Sequence, residues 1–152
     1  MIQRKQTVFI LLALVATIAC LCLPLGFVSP DGMGADSSLH NLALVDGNNG
    51  KWDFSPCVLF VWLALSCPVG VVAMLKYKKR MLQARLCAVN MLLMALWMLS
   101  LAAISLVALP KGASLHLGFA ACLPLVSFIL YFMARKAIIA DEKLVRSIDR
   151  IR

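Results

Sequence analysis

Six cysteines, two histidines and seven carboxylates are the side chains of this 152-residue chain that could ligate a metal, cycle between redox states or work as acid and base. The cysteines are Cys20, Cys22, Cys57, Cys67, Cys87 and Cys122. None is paired at C-x-x-C spacing and all lie in apolar stretches, where Cys behaves as a small buried hydrophobe. Cys20, Cys22 and Cys57 fall toward the side assigned below as outer, where an oxidising environment would permit a bridge. Cys20 and Cys22 are two apart and do not share a helical face, so they cannot serve together. His40 and His116 accompany Asp31, Asp36, Asp46 and Asp53 on that side. No ligand spacing joins them, and they read as surface residues with no metal or cofactor expected. There is no Ser-His-Asp constellation, phosphate-binding Gly loop or pair of intramembrane carboxylates, so the chain is expected not to be an enzyme.

The elements that must carry these residues follow from composition. The chain is 62% hydrophobic and 14% charged, with a mean hydropathy of +0.92. A soluble domain is about half apolar and about a quarter charged. A soluble globular, disordered, disulfide-stapled or nucleic-acid-binding chain is therefore excluded, and an integral membrane protein remains. Four runs lack Asp, Glu, Lys and Arg: residues 8–28, 57–75, 86–109 and 115–134. Each has the ~20 apolar residues that a spanning helix needs. The first run is longer than the ~7–15 residues of a signal-peptide core and ends without a small-residue cleavage site, so it reads as a span.

Thirteen of the fifteen Lys and Arg residues fall before the first run, between the second and third, or after the fourth. Cytoplasmic loops carry such an excess, which places both termini inside and the 29–56 loop outside. Lys76, Lys78, Lys79, Arg80 and Arg85 in the inner link suit contact with anionic lipid, at about 1 kcal/mol per cation near the surface. In the outer loop, apolar residues 42–45 and the alternating Lys51-Trp52-Asp53-Phe54 flank a Gly/Asn turn and predict a β-hairpin. Ser55 and Pro56 read as the cap and first residue of the second helix.

Ionisable residues are absent from the runs, which argues against a proton-coupled transporter or ion pump. Asn90 is the most demanding polar group there and is expected to bond a neighbouring helix. Pro24, Pro68 and Pro124 are expected to kink helices one, two and four. Ser66/Gly70 and Gly118/Cys122 are small pairs at the spacing of close helix contacts. The short 110–114 link makes the third and fourth helices an antiparallel pair. Beyond the fourth run nothing breaks a helix, and Ile138, Leu144, Val145, Ile148 and Ile151 form an apolar stripe opposite Arg146 and Arg150. That stripe is a candidate partner-docking element.

Three segments resemble a known family. They are Met1-Ile2-Gln3-Arg4-Lys5-Gln6-Thr7, Leu82-Gln83-Ala84-Arg85-Leu86-Cys87-Ala88-Val89-Asn90, and the tail from Ala134-Arg135-Lys136-Ala137-Ile138 through Asp141-Glu142-Lys143-Leu144-Val145-Arg146-Ser147-Ile148-Asp149-Arg150. They are similar to a Bacteroidetes family of small four-span membrane proteins, domain of unknown function 4293. The resemblance implies four spans and a bacterial inner membrane, and no activity, substrate or cofactor.

The expectation is thus an all-α polytopic membrane protein forming one transmembrane domain over residues 1–152. It has four transmembrane helices, a short outer β-hairpin loop at 29–56 and a cytoplasmic C-terminal helix extension at 135–152. Its expected function is that of a non-catalytic scaffold or accessory subunit acting through a basic cytoplasmic face, with a small oligomeric transporter or lipid-handling channel as the alternative. Expected partners are the lipid bilayer and a membrane or cytoplasmic protein, or a second copy, but no nucleic acid.

Overall fold

The computed structural model describes residues 2–30, 34–77, 79–108 and 114–149. Four helices, α1 (Ile2–Cys22), α2 (Cys57–Leu75), α3 (Arg80–Ala103) and α4 (Leu123–Asp149), form an antiparallel bundle. Each packs on its two neighbours, in the cyclic order α1, α2, α3, α4. A π-helical turn at Ile104–Ala108 continues α3, and a 3-10 turn at Phe119–Cys122 leads into α4.

The fold is mostly helical but not all-α. A five-stranded antiparallel sheet caps one end of the bundle, with strands β1 (Gly26–Ser29), β2 (Ser37–Leu39), β3 (Leu44–Val45), β4 (Trp52–Asp53) and β5 (Ser114–Leu117). Their spatial order is β4-β3-β2-β1-β5. The expected hairpin is its β3–β4 edge, with Val45 opposite Trp52. Its turn is held by Asp46, whose Oδ1 accepts from Asn48 N at 3.1 Å, and by Gly50 at φ +61°. The larger part of the sheet corrects two helix boundaries. α1 stops at Cys22, and Gly26–Ser29 turns into a strand that pairs with β5, Gly26 lying opposite Leu117. Residues 115–117 are likewise strand, and α4 starts only at Leu123.

Proline placement explains both boundaries. Pro24 stands after the end of α1, which it terminates instead of kinking, because the residue before a proline is disfavoured in helical conformation. Pro124 lies in the first turn of α4, where its missing N–H breaks no helical bond. Only Pro68 is interior, in α2. At the start of that helix Pro56 is the cap residue, with no side-chain cap bond, and Ser55 does not cap. Gly118 precedes the 3-10 turn, so Gly118 and Cys122 are not a pair on one helix face. The expected 110–114 link lies outside the described residues except for Ser114.

Polarity runs inside-out. Val8, Leu12, Val15 and Ile18 of α1, Val61 and Leu65 of α2, Leu92 and Leu99 of α3, and Ile129 and Phe132 of α4 are exposed. Gln6, Thr17, Ser66, Gln83, Asn90 and Ser127 are buried. An apolar belt of that extent far exceeds the patches that soluble monomers tolerate. Three helical stretches, Cys57–Leu75, Arg80–Leu106 and Phe119–Val145, are long and apolar enough to cross a membrane, and Gln6–Cys22 is a shorter apolar helix. By length, composition and this outward apolar belt, the chain is a membrane protein.

The β1–β5 pairing closes the sheet over the bundle and depends on Gly26. A Cβ there would lie inside the van der Waals shell of the His116 carbonyl oxygen on β5. Gly26→Val should therefore lower stability by at least the ~1–3 kcal/mol typical of overpacking. Unfolding of the purified protein in mixed micelles checks this, with Gly50→Val as a comparison that strains φ without a clash.

Candidate functional site

Buried polar groups form a network inside the bundle, and Lys and Arg gather at the bundle end opposite the sheet. The network has three levels. Nearest the sheet, the β2–β3 turn (residues 40–43) enters the bundle mouth, closed by His40 N donating to Ala43 O at 3.0 Å. Asn41 is fully buried at its tip. Its Nδ2 donates to Cys20 O at 2.6 Å, and its Oδ1 accepts from Trp97 Nε1 at 3.0 Å. The Cys20 carbonyl belongs to the last turn of α1, where helical carbonyls lack intrahelical donors. One loop amide thus satisfies a helix end and ties α1 to α3. Beside it Trp62 Nε1 donates to Ser100 Oγ at 3.0 Å, joining α2 to α3.

At mid-bundle, Asn90 meets the expectation of an interhelical bond. The amide orientation that satisfies both of its ends has Nδ2 donating to Ser66 Oγ and Ser66 O, each at 3.1 Å, and Oδ1 accepting from Gly70 N at 3.2 Å. Asn90 therefore grips the Ser66–Gly70 turn of α2 that contains Pro68. Across the bundle, Ser127 Oγ donates to Ala13 O at 3.1 Å and Thr17 Oγ1 donates to the same carbonyl at 2.8 Å, which joins α4 to α1. Tyr131 of α4 is fully buried between these pairs. Its hydroxyl packs against Gly70, where an added Cβ would crowd it, and lies near Ser66 and Thr17 without a well-formed hydrogen bond among the described residues.

At the third level Gln6 Nε2 donates to Asp141 Oδ2, tying the start of α1 to α4 beyond its apolar part. Asp141, which breaks the apolar stripe in sequence, is thus a structural contact. Ile138 is also corrected: it is fully buried in the core and does not belong to an accessible stripe. Leu144 and Val145 are 58% and 41% exposed. α4 runs on through Ile148, while Ile151 lies outside the described residues. Lys76, Lys79 and Arg85 are exposed and Arg80 is half-buried. Arg80 and Arg85 sit on the first turns of α3, not in a link. Lys78 lies outside the described residues.

All six cysteines are free thiols. Among the described residues no three His, Cys, Asp or Glu side chains converge. His116 lies on β5 with its Nε2 3.3 Å from Ser114 Oγ, and His40 starts the β2–β3 turn. Asn41 and Tyr131 were not singled out from the sequence. Asn41 sits among the loop residues Leu39, His40, Leu42 and Ala43, and only its burial shows its role. Tyr131 reads as one more aromatic in an apolar run.

The family model for a domain of unknown function, DUF4293, matches residues 2–151, and the chain belongs to that family. No curated protein matches it.

Removing the Asn41 amide leaves the Trp97 N–H and the Cys20 carbonyl without partners. Asn41→Ala should lower stability by about 1–3 kcal/mol for each group left unpaired. Adding Trp97→Phe to it should cost much less than Trp97→Phe alone, which a double-mutant cycle by unfolding in micelles measures. Asn90→Leu should cost less, about 0.6 and at most ~1.7 kcal/mol, the range of interhelical bonds inside membranes.

Proposed function

We propose that the chain is a four-span protein of a bacterial inner membrane. The sheet lies outside and the basic end in the cytoplasm, and the protein works as a non-catalytic scaffold or accessory subunit through that basic face. α1 serves as the fourth span. Its apolar stretch from Gln6 to Cys22, 17 residues long, is at the lower end of what a bilayer needs, and its outward face is apolar throughout. The thirteen-to-two division of Lys and Arg supports the orientation.

One observation carries the scaffold reading. Nearly all buried polar groups are spent on each other or on the backbone, whereas accessible Lys and Arg and exposed Leu144 and Val145 gather at the end where α4 outruns the bundle. The partner that fits is a protein helix whose own apolar stripe covers Leu144 and Val145. Burying Leu144 and Val145 would contribute about 1.5–3 kcal/mol each. Leu144→Glu with Ile148→Glu should abolish capture of native cross-linked complexes while the protein stays membrane-inserted. Unchanged complexes would remove the docking role.

The alternative, a small oligomeric transporter or lipid-handling channel, draws on Tyr131, whose buried hydroxyl lies at mid-bundle with Ser66 and Thr17 near it. Solute or lipid flux in proteoliposomes, lost in Tyr131→Phe, would favour it over the scaffold.

Topology has its own test. In a chain with the native cysteines replaced, Asn48→Cys should react with an impermeant thiol reagent on intact cells and Lys79→Cys should not. The reverse pattern would invert the assignment.

A further inference from the structure

α4 carries a second feature on a different side from its apolar stripe. Phe132, Arg135, Lys136, Ile139, Ala140 and Lys143 line a groove of about 480 Å³. Their spacing of three and four residues puts them on one helix face. Buried Ser127, Tyr131, Ala134 and Ile138 form the face turned to the bundle, so the groove looks outward. None of its lining residues is acidic, and Asp141 is held on another side of α4 by Gln6. Exposed Leu125 and Ile129 continue the same outward face toward the sheet end.

Chemistry therefore changes along one face. Apolar residues run down the spanning part, and three cations surround a shallow recess where the apolar run ends. We propose that this groove holds one anionic phospholipid. Its phosphate sits among Arg135, Lys136 and Lys143, and an acyl chain lies along Phe132 and Ile129. Arg135 offers a fixed fork of donors for phosphate oxygens, while the lysines supply mobile charge. Ile139 and Ala140 lie between the cations along the groove. The site differs from the cations Lys76, Lys79, Arg80 and Arg85, which sit at the end of α2 and the start of α3. It rests on α4 crossing the bilayer and is independent of protein docking at Leu144.

The full-length protein in an uncharged detergent can be examined by native mass spectrometry with phosphatidylglycerol, phosphatidylcholine of the same chains, and glycerol phosphate. A cation near a membrane surface is worth about fivefold in affinity for negative charge. Phosphatidylglycerol should be retained over phosphatidylcholine by at least about tenfold. The combined Arg135→Gln, Lys136→Gln and Lys143→Gln variant should lose that preference, and the Lys76→Gln, Lys79→Gln and Arg85→Gln variant should keep it. In the otherwise native chain, a photoreactive side chain at Ala140 should form an adduct with phosphatidylglycerol, a readout independent of whether the triple variant folds. Three results would overturn the proposal: a preference unchanged in the groove variant, an equal loss in the control, or glycerol phosphate binding as tightly as the lipid. Loss of lipid with partner capture intact would separate this site from the docking reading. Release of the protein from membranes by alkaline carbonate would instead refute the spans.

Discussion

Inside a bilayer no water satisfies a stray backbone carbonyl, and this constraint shapes the sheet end of the molecule. α1 ends at Cys22, because Pro24 follows, and so leaves its last carbonyls without helical donors. Leu23 N reaches Ala19 O at 3.0 Å. Cys20 O, deeper in, takes its donor from Asn41. The chain after α1 has to return to the bundle to deliver that amide, and β1 and β2 are the path by which it does. Leu25 N then donates to Leu39 O and Gly118 N to Leu25 O, each at 2.7 Å. Leu25, Leu39 and Ala43 are buried beneath the strands, so the sheet acts as a lid with its own apolar underside.

The same constraint accounts for the interior. In lipid the helices gain little from hydrophobic association, because the surrounding chains are as apolar as Leu. Close packing and interhelical hydrogen bonds must take over. Asn90 with Ser66 and Gly70 joins α2 to α3, Thr17 and Ser127 join α1 to α4, and Gly70 leaves room for the Tyr131 hydroxyl. These contacts occupy the middle of the bundle. The two ends are held separately, by Asn41 at the sheet and by Gln6 with Asp141 at the basic end.

That division leaves α4 with unequal surroundings along its length. Up to Ile138 one face is locked in the core. Past it the helix keeps going with only part of its circumference covered, and it presents exposed Leu144 and Val145 together with Lys136 and Lys143. A helix of ordinary propensity that projects from a bundle needs burial on something else to be worth its ordering. Among the described residues the sheet end has no comparable extension: its exposed aromatics Trp52 and Phe54 lie 6.4 Å apart at the hairpin edge, as suits residues at a membrane–water boundary.

Much of this was legible from residue order. Apolar runs of spanning length, the one-sided cations, the 46–50 turn, the demand of Asn90 for a partner and the helical continuation of the tail are local properties, set by composition and by spacing along one chain segment. The sheet was not legible, because residues 26–29 and 115–117 are as apolar as the helices beside them. Periodicity cannot separate a short buried strand from the end of a helix, and β1 and β5 are distant partners that only folding brings together. The roles of Asn41, Asp141 and Ile138 are hidden for a related reason: a side chain's role depends on which orphan group or core it meets across the bundle. Residue order alone shows that this protein belongs in a membrane, and which segments are long and apolar enough to cross one. Tertiary structure alone decided where the helices stop and which polar groups are spent inside, because in lipid each such group must find its partner on another segment.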